Sequence, residues 1–184
     1  STHTNVANMD ISKIDPWVDP APSNAFTMTL NKLRQKIKKK KPWAYRHLAD
    51  RYQVGRGGVK KSLKKAIDNY ERGMKLGDPV CMNALGVRYA TGKGLVTNEK
   101  LAFEYSQMAA FQGYDVAQYS LGVYYRSGVF IDQSNSKARE WLNRAAAQGY
   151  ENATKELKEL DEEEKAEEEK EAATEKKEEE KESK

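Results

Sequence analysis

The chain has 184 residues, 32 Lys and Arg against 28 Asp and Glu, and 38% hydrophobic residues. That is enough to bury one ordinary core, and no apolar run reaches the 18 residues that a membrane-spanning helix needs. The net charge of +4 conceals opposite ends: residues 30–80 hold sixteen Lys and Arg against four acids, whereas residues 151–184 hold sixteen acids against eight Lys.

Residues 1–24 carry Pro16, Pro20 and Pro22 among polar residues and read as an extended arm. Within it Ile11, Ile14, Trp17 and Val18 have no core of their own. An exposed Trp marks a docking arm, so Trp17 is expected to seat either in a partner or back on its own chain. The sequence opens at Ser1 without Met and shows no signal peptide, so a removed leader or a trimmed start is expected. The expected compartment is intracellular: the cytosol, or an organelle interior (matrix or stroma) if a transit peptide was removed.

Over residues 25–41 the spacing of Phe26, Leu30, Leu33 and Ile37 is helical, which predicts a capping helix whose stripe covers the next element; Pro42 ends it. The rest of its circumference is crowded by Lys36, Lys38, Lys39, Lys40 and Lys41. These, extended by Lys60, Lys61, Lys64 and Lys65, form either a solvated basic face or a patch for RNA phosphates or anionic lipid. Interleaved aromatics of the kind that single-strand binders stack on are not evident.

From residue 42 the chain repeats itself. Gly86 and Gly122, Tyr89 and Tyr125, Ala102 and Ala138, and Gly113 and Gly149 are each 36 positions apart, and an earlier copy keeps Ala44, Leu48, Ala49, Tyr52, Ala66 and Gly77. A period of this length is the signature of a solenoid of helical hairpins. Each unit has two apolar stretches at helical spacing across a glycine-bearing turn, and Gly77, Gly113 and Gly149 sit where a left-handed residue ends the second helix. The units are read as 42–78, 79–114 and 115–150.

The pattern A-x3-LG-x2-Y, a glycine-bearing turn, KA-x2-(W/Y) and AA-x-QG resembles the Sel-one-like repeat, a relative of the tetratricopeptide repeat. The departures are Cys81 and Leu101 in the second copy, and Ala49, Gly73, Met74 and a displaced Tyr70 in the first. The resemblance implies an all-α, right-handed solenoid with capping helices at both ends, and an interaction role with no chemistry. It also implies that the first helix of each hairpin lines a concave face. The partner-binding positions would then be Arg46, Asp50 and Gln53, then Asn83, Val87 and Ala90, then Tyr119, Val123 and Arg126.

A fourth copy starts at Ala153 and Leu157, but Lys158 and Asp161 replace the Gly and Tyr, so 151–160 reads as a polar capping helix. The whole solenoid is thus 42–160. Residues 161–184 are too poor in large apolar side chains to pack a core, and read as an acidic helix or a disordered tail.

Signals for chemistry are few. Cys81 is alone, so it forms no disulfide within the chain, and its core-alanine slot predicts a buried thiol. His3 and His47 have no partner at metal-ligand spacing, and GRGG at 55–58 lacks the Lys-Ser/Thr and strand of a phosphate loop. The reading is a non-enzymatic protein-protein interaction scaffold, an adaptor or assembly subunit with no cofactor or metal. The alternative is RNA or anionic-lipid binding through the basic N-terminal half.

Overall fold

The computed structural model describes residues 13–182, with side chains through residue 175; His3 and Ile11 lie outside the described residues. The described residues form helices without strands: α1 (Leu30–Lys38), α2 (Pro42–Val54), α3 (Leu63–Lys75), α4 (Pro79–Thr91), α5 (Glu99–Phe111), α6 (Asp115–Ser127), α7 (Asn135–Ala147) and α8 (Glu151–Glu182). Helices α2 and α3, α4 and α5, and α6 and α7 pair as hairpins, and α3 meets α4 and α5 meets α6 to stack them.

The period of the sequence reappears in the helix ends. Ser62, Asn98 and Ser134 cap the second helix of each hairpin, each side chain accepting from the backbone N–H three residues on, which satisfies one of the orphan donors of a helix start. The N–H of each capping residue donates to the carbonyl of the repeat tyrosine, Tyr52, Tyr89 or Tyr125, and this closes the hairpin turn. At the far end Gly77, Gly113 and Gly149 take φ of +89°, +84° and +87°. That left-handed conformation, which a Cβ disfavours, lets the next residue's N–H reach back to Gly73, Ala109 and Ala145.

Ala44, Ala49, Ala66, Ala102, Ala109, Ala117, Ala138, Ala145 and Ala153 are fully buried, so small residues set how closely the helices approach. Gly86 and Gly122 serve the same end: a Cβ on Gly122 would come within 2.7 Å of Leu142. The first interface departs from the others by a matched exchange. Cys81 occupies the slot of Ala117, and Gly73 the slot of Ala109; a Cβ on Gly73 would run into the Cys81 sulfur. The thiol is fully buried, as expected, and burial pushes its pKa far up, with the charge of Asp78 adding to the effect.

The N-terminal cap differs from the helix expected over 25–41. Thr29 caps α1, accepting from the Lys32 N–H at 3.4 Å, so the helix begins only at Leu30, and it ends at Lys38 because Lys40 turns left-handed at φ 52°. Phe26 is therefore not part of the stripe: it lies exposed in a turn, with the Arg56 guanidinium 4.4 Å over its ring, and Ala25 is buried instead. Helix α1 runs back along α2, with Tyr45 Oη donating to the Ile37 carbonyl at 3.3 Å and Leu30 beside Gly58. At the other end α8 continues through 160 as one helix, with Ala153, Leu157 and Leu160 packed inward and an acidic surface beyond them.

Candidate interaction surface

The arm residues 14–22 carry no helix and lie against the solenoid. Ile14 packs on the apolar cluster of the second and third hairpins. The Trp17 N–H donates to the Gly113 carbonyl at 3.2 Å, and its indole meets Tyr114 edge-on at 5.5 Å. Two residues later, both carboxylate oxygens of Asp19 accept from one guanidinium nitrogen of Arg46 at 2.7 Å, and Ala21 and Ala25 join the N-terminal cluster around Leu33 and Trp43. The arm thus runs against the order of the repeats, past the N-terminal ends of α6, α4 and α2. Of the two expected seats for Trp17, the structure places it on its own chain.

Arg46 joins three segments. It is 4% exposed, pairs with Asp19 of the arm and with Asp78 at 3.7 Å, and its guanidinium carbon lies 5.6 Å from the Trp17 ring centroid. Burial works against its charge, but its hydrogen bonds to the Asp19 carboxylate and the charge of Asp78 outweigh this and raise its pKa. Asp78 at the same time caps α4, accepting from Cys81 N–H at 2.9 Å. The neighbouring His47 is half-buried beside Trp43, and burial together with the Arg46 charge lowers its pKa.

The other candidates divide by repeat. Asp50 and Gln53 accept from the Tyr70 hydroxyl at 2.6 and 3.3 Å, and Gln53 also accepts from Arg88, whose guanidinium lies 4.5 Å over the Tyr70 ring. Asn83 is buried on α4, and its Oδ1 has no hydrogen-bond partner among the described residues. Val87 is 47% exposed, and Ala90 beside it is also exposed. On α6, Tyr119 stacks against Tyr150 at 5.1 Å and Val123 is half-buried. Arg126 is taken up by α8, donating to Glu156, to Glu159 at 3.3 Å and to Glu163 at 2.7 Å.

The structure does not join the two lysine groups. Lys38, Lys39, Lys40 and Lys41 are exposed and Lys36 half-buried before the start of α2, whereas Lys60, Lys61, Lys64 and Lys65 are exposed beyond its end. Thirteen residues of helix separate them, about 20 Å at the usual rise.

The sequence did not point to Arg88 or to the seat beneath the arm. Arg88, in the Asp50 and Gln53 network, had a signal, since it matches Arg51 in the first repeat, and Asp78 beneath the arm had one as a helix-capping residue before Pro79. Gly113 and Tyr114 had none, because nothing local marks them off from Gly77 and Gly149. Among the described residues no His, Cys, Asp and Glu group is arranged to hold a metal, and no helix is long and apolar enough to cross a membrane.

A search of curated proteins finds no significant match. Among solved structures, a Sel1 repeat protein from Oxalobacter formigenes is similar over 71% of this chain and 97% of its own, at 35% identity and a TM-score of 0.66. Protein c5321, a protective antigen of uropathogenic Escherichia coli with an SLR fold, is similar over 68% of this chain but 27% of its own, at 29% identity and a TM-score of 0.64. Cysteine rich protein B of Helicobacter pylori is similar in fold, over 67% of this chain and 92% of its own, at 17% identity and a TM-score of 0.53. The Sel1 repeat pattern itself matches residues 44–78, 79–114 and 115–150. Three consecutive matches over most of its length show that the chain belongs to the Sel1 repeat family, whose members are in general protein-interaction scaffolds.

Proposed function

We propose that this chain holds a partner protein without catalysis, as an accessory or assembly subunit of a larger complex. The observation that supports this reading is the strip left open in the middle of the stack. Arg46 is covered by the arm and Arg126 by α8, but Val87 and Ala90 on the central α4 remain exposed beside the Asp50, Gln53 and Arg88 network. An apolar strip flanked by amide and charged groups suits a protein edge, with the anchor in the middle and polar contacts at its rim.

The test is capture of partners by the intact chain from its native extract, washed at low and high salt, with nuclease in parallel. A defined set of proteins is expected to survive both washes and to be lost with Val87→Glu and Ala90→Arg together. Retention of that set by the doubly substituted chain would overturn the assignment to α4. Recovery that collapses with salt or nuclease would overturn the scaffold reading in favour of RNA or lipid at the lysines.

A further inference from the structure

The arm shows what its seat recognises. Among the described residues, Gly113 is the only one of the three helix-ending glycines against which another segment lies: a Cβ there would overlap the Asp15 carbonyl oxygen and come within 2.7 Å of the Trp17 nitrogen, whereas Gly77 and Gly149 have no described atom within 4 Å. The Gly113 carbonyl receives the Trp17 N–H at 3.2 Å, Tyr114 offers a ring to the indole, and Arg46 offers a buried guanidinium to the carboxylate two residues on. A main-chain acceptor, an aromatic wall and a cation at fixed spacing form a reader for an extended peptide.

The present occupant is only partly seated: Ile14, the Trp17 ring and Asp19 make contacts, while Asp15, Pro16 and Val18 between them stay exposed. One backbone hydrogen bond ties Trp17, Asp19 is about half exposed, and Val18 between them is 81% exposed. Pro16, Pro20 and Pro22 preset an extended backbone and remove donors, so the arm needs no refolding to leave. If it left, Asp78 would keep Arg46 paired, and the seat would not be left with an isolated buried charge.

We infer that the groove formed by Gly113, Tyr114, Arg46 and Asp78 is a docking site for an extended segment of a partner protein. That segment carries a Trp with an acidic residue two positions later, and residues 14–19 are its tethered stand-in. The inference rests on the scaffold reading and deepens it, because it gives the partner a recognisable chemistry. The tethered arm competes at an effective concentration of order millimolar, so the free chain is largely closed and a partner must outbid the arm.

The experiment uses the full chain with Trp17→Ala and Asp19→Ala together, which loosens the arm but leaves the seat intact, with helicity and melting checked against the unmodified chain. The probe is a fluorescent peptide of residues 11–23, followed by anisotropy. It is expected to bind the loosened chain at least tenfold more tightly than the unmodified one, and to lose at least tenfold when its own Trp is replaced by Ala or its own Asp19 by Lys. Equal binding to both chains, or no binding to a folded loosened chain, would overturn the inference. If the loosened chain does not fold, excess biotinylated peptide added to the unmodified chain must speed amide exchange across residues 14–19; no acceleration counts against it. A dimer of the unmodified chain that Trp17→Ala dissociates would instead show arms exchanged between two copies, and would also overturn the partner assignment. Failure of the peptide with intact partner capture would remove the groove and leave the scaffold reading standing.

Discussion

The two ends of the stack meet the same need by different means. At the N-terminus the open face of the first hairpin is covered by apolar side chains: Ala25, Leu33, Trp43, Ala44 and Leu48 are buried, and Met28, Leu30 and Ile37 close around them. At the C-terminus the apolar cover is thinner, with Ala153, Leu157 and Leu160, and the outer part of α8 is held by arginines. Arg126 reaches Glu156, Glu159 and Glu163, and Arg139 reaches Asp161 and Glu164. The area removed from water does not depend on salt, whereas exposed ion pairs are screened by it. One end of the stack is therefore anchored firmly at any ionic strength, and the other has an adjustable outer helix.

Leu33→Ala tests the first half of that contrast most severely. The side chain is fully buried, so the loss should be about 2–5 kcal/mol, read from chemical denaturation and unchanged between low and high salt. A strong salt dependence would contradict the apolar account. Next comes the first interface, where Gly73→Ala places a methyl against the Cys81 sulfur. About 1–3 kcal/mol of overpacking should outweigh the gain in helix propensity of about 1 kcal/mol. Adding Cys81→Ala restores the alanine pair of the other interfaces and should recover the loss. Additive losses in the double variant would show that the two residues do not compensate.

The arm is tested by paired glycines. Gly113→Ala and Gly149→Ala share a strain of about 1–2 kcal/mol for left-handed backbone, but only the first must expel the arm. The surplus cost at Gly113 measures how firmly the arm is held, and faster amide exchange over residues 14–19 should accompany it. Arg126→Ala should cost no more than about 1 kcal/mol at low salt and less at high salt, while exchange over residues 163–175 rises. A larger, salt-independent loss would mean that α8 is held by packing instead.

The smallest effect concerns pH. Burial and the Arg46 charge lower the His47 pKa below 6.5, against the opposing pull of Asp50 and Asp19 and with a further push from Arg51. Below that value the unfolded chain binds the proton more readily than the folded one, so stability rises with pH there. The melting temperature should hold above about pH 6.5 and fall as pH drops below it. His47→Gln should flatten that fall; an unchanged slope would place the sensitivity elsewhere.

Legibility tracked periodicity. Ala102 and Ala138, or Gly113 and Gly149, declare a hairpin stack because each performs the same local task one repeat apart, and the helix stops and caps follow from local backbone preference. The start of α1 was harder to read, because Phe26 fits the helical spacing but Thr29 supplies the cap that begins the helix after it. The candidate surface was legible as positions but not as states. Arg46 and Arg126 stand where partner contacts were expected, and each is occupied by a distant part of the same chain.

What the sequence determined alone is therefore the repeat, its period and the opposed charge of the two ends, which are read directly along the chain, and the turns and caps of the helices, which depend on residues within one or two helical turns. Only the tertiary structure decided that Gly73 makes room for Cys81, that the lysine groups lie at opposite ends of α2, and that Trp17 and Asp19 lie on Gly113 and Arg46. Those outcomes depend on which surfaces meet across sequence separations of 27 residues for Asp19 and Arg46, or 37 for Arg126 and Glu163. No local pattern encodes a meeting at that range, because it is set by how the hairpins stack.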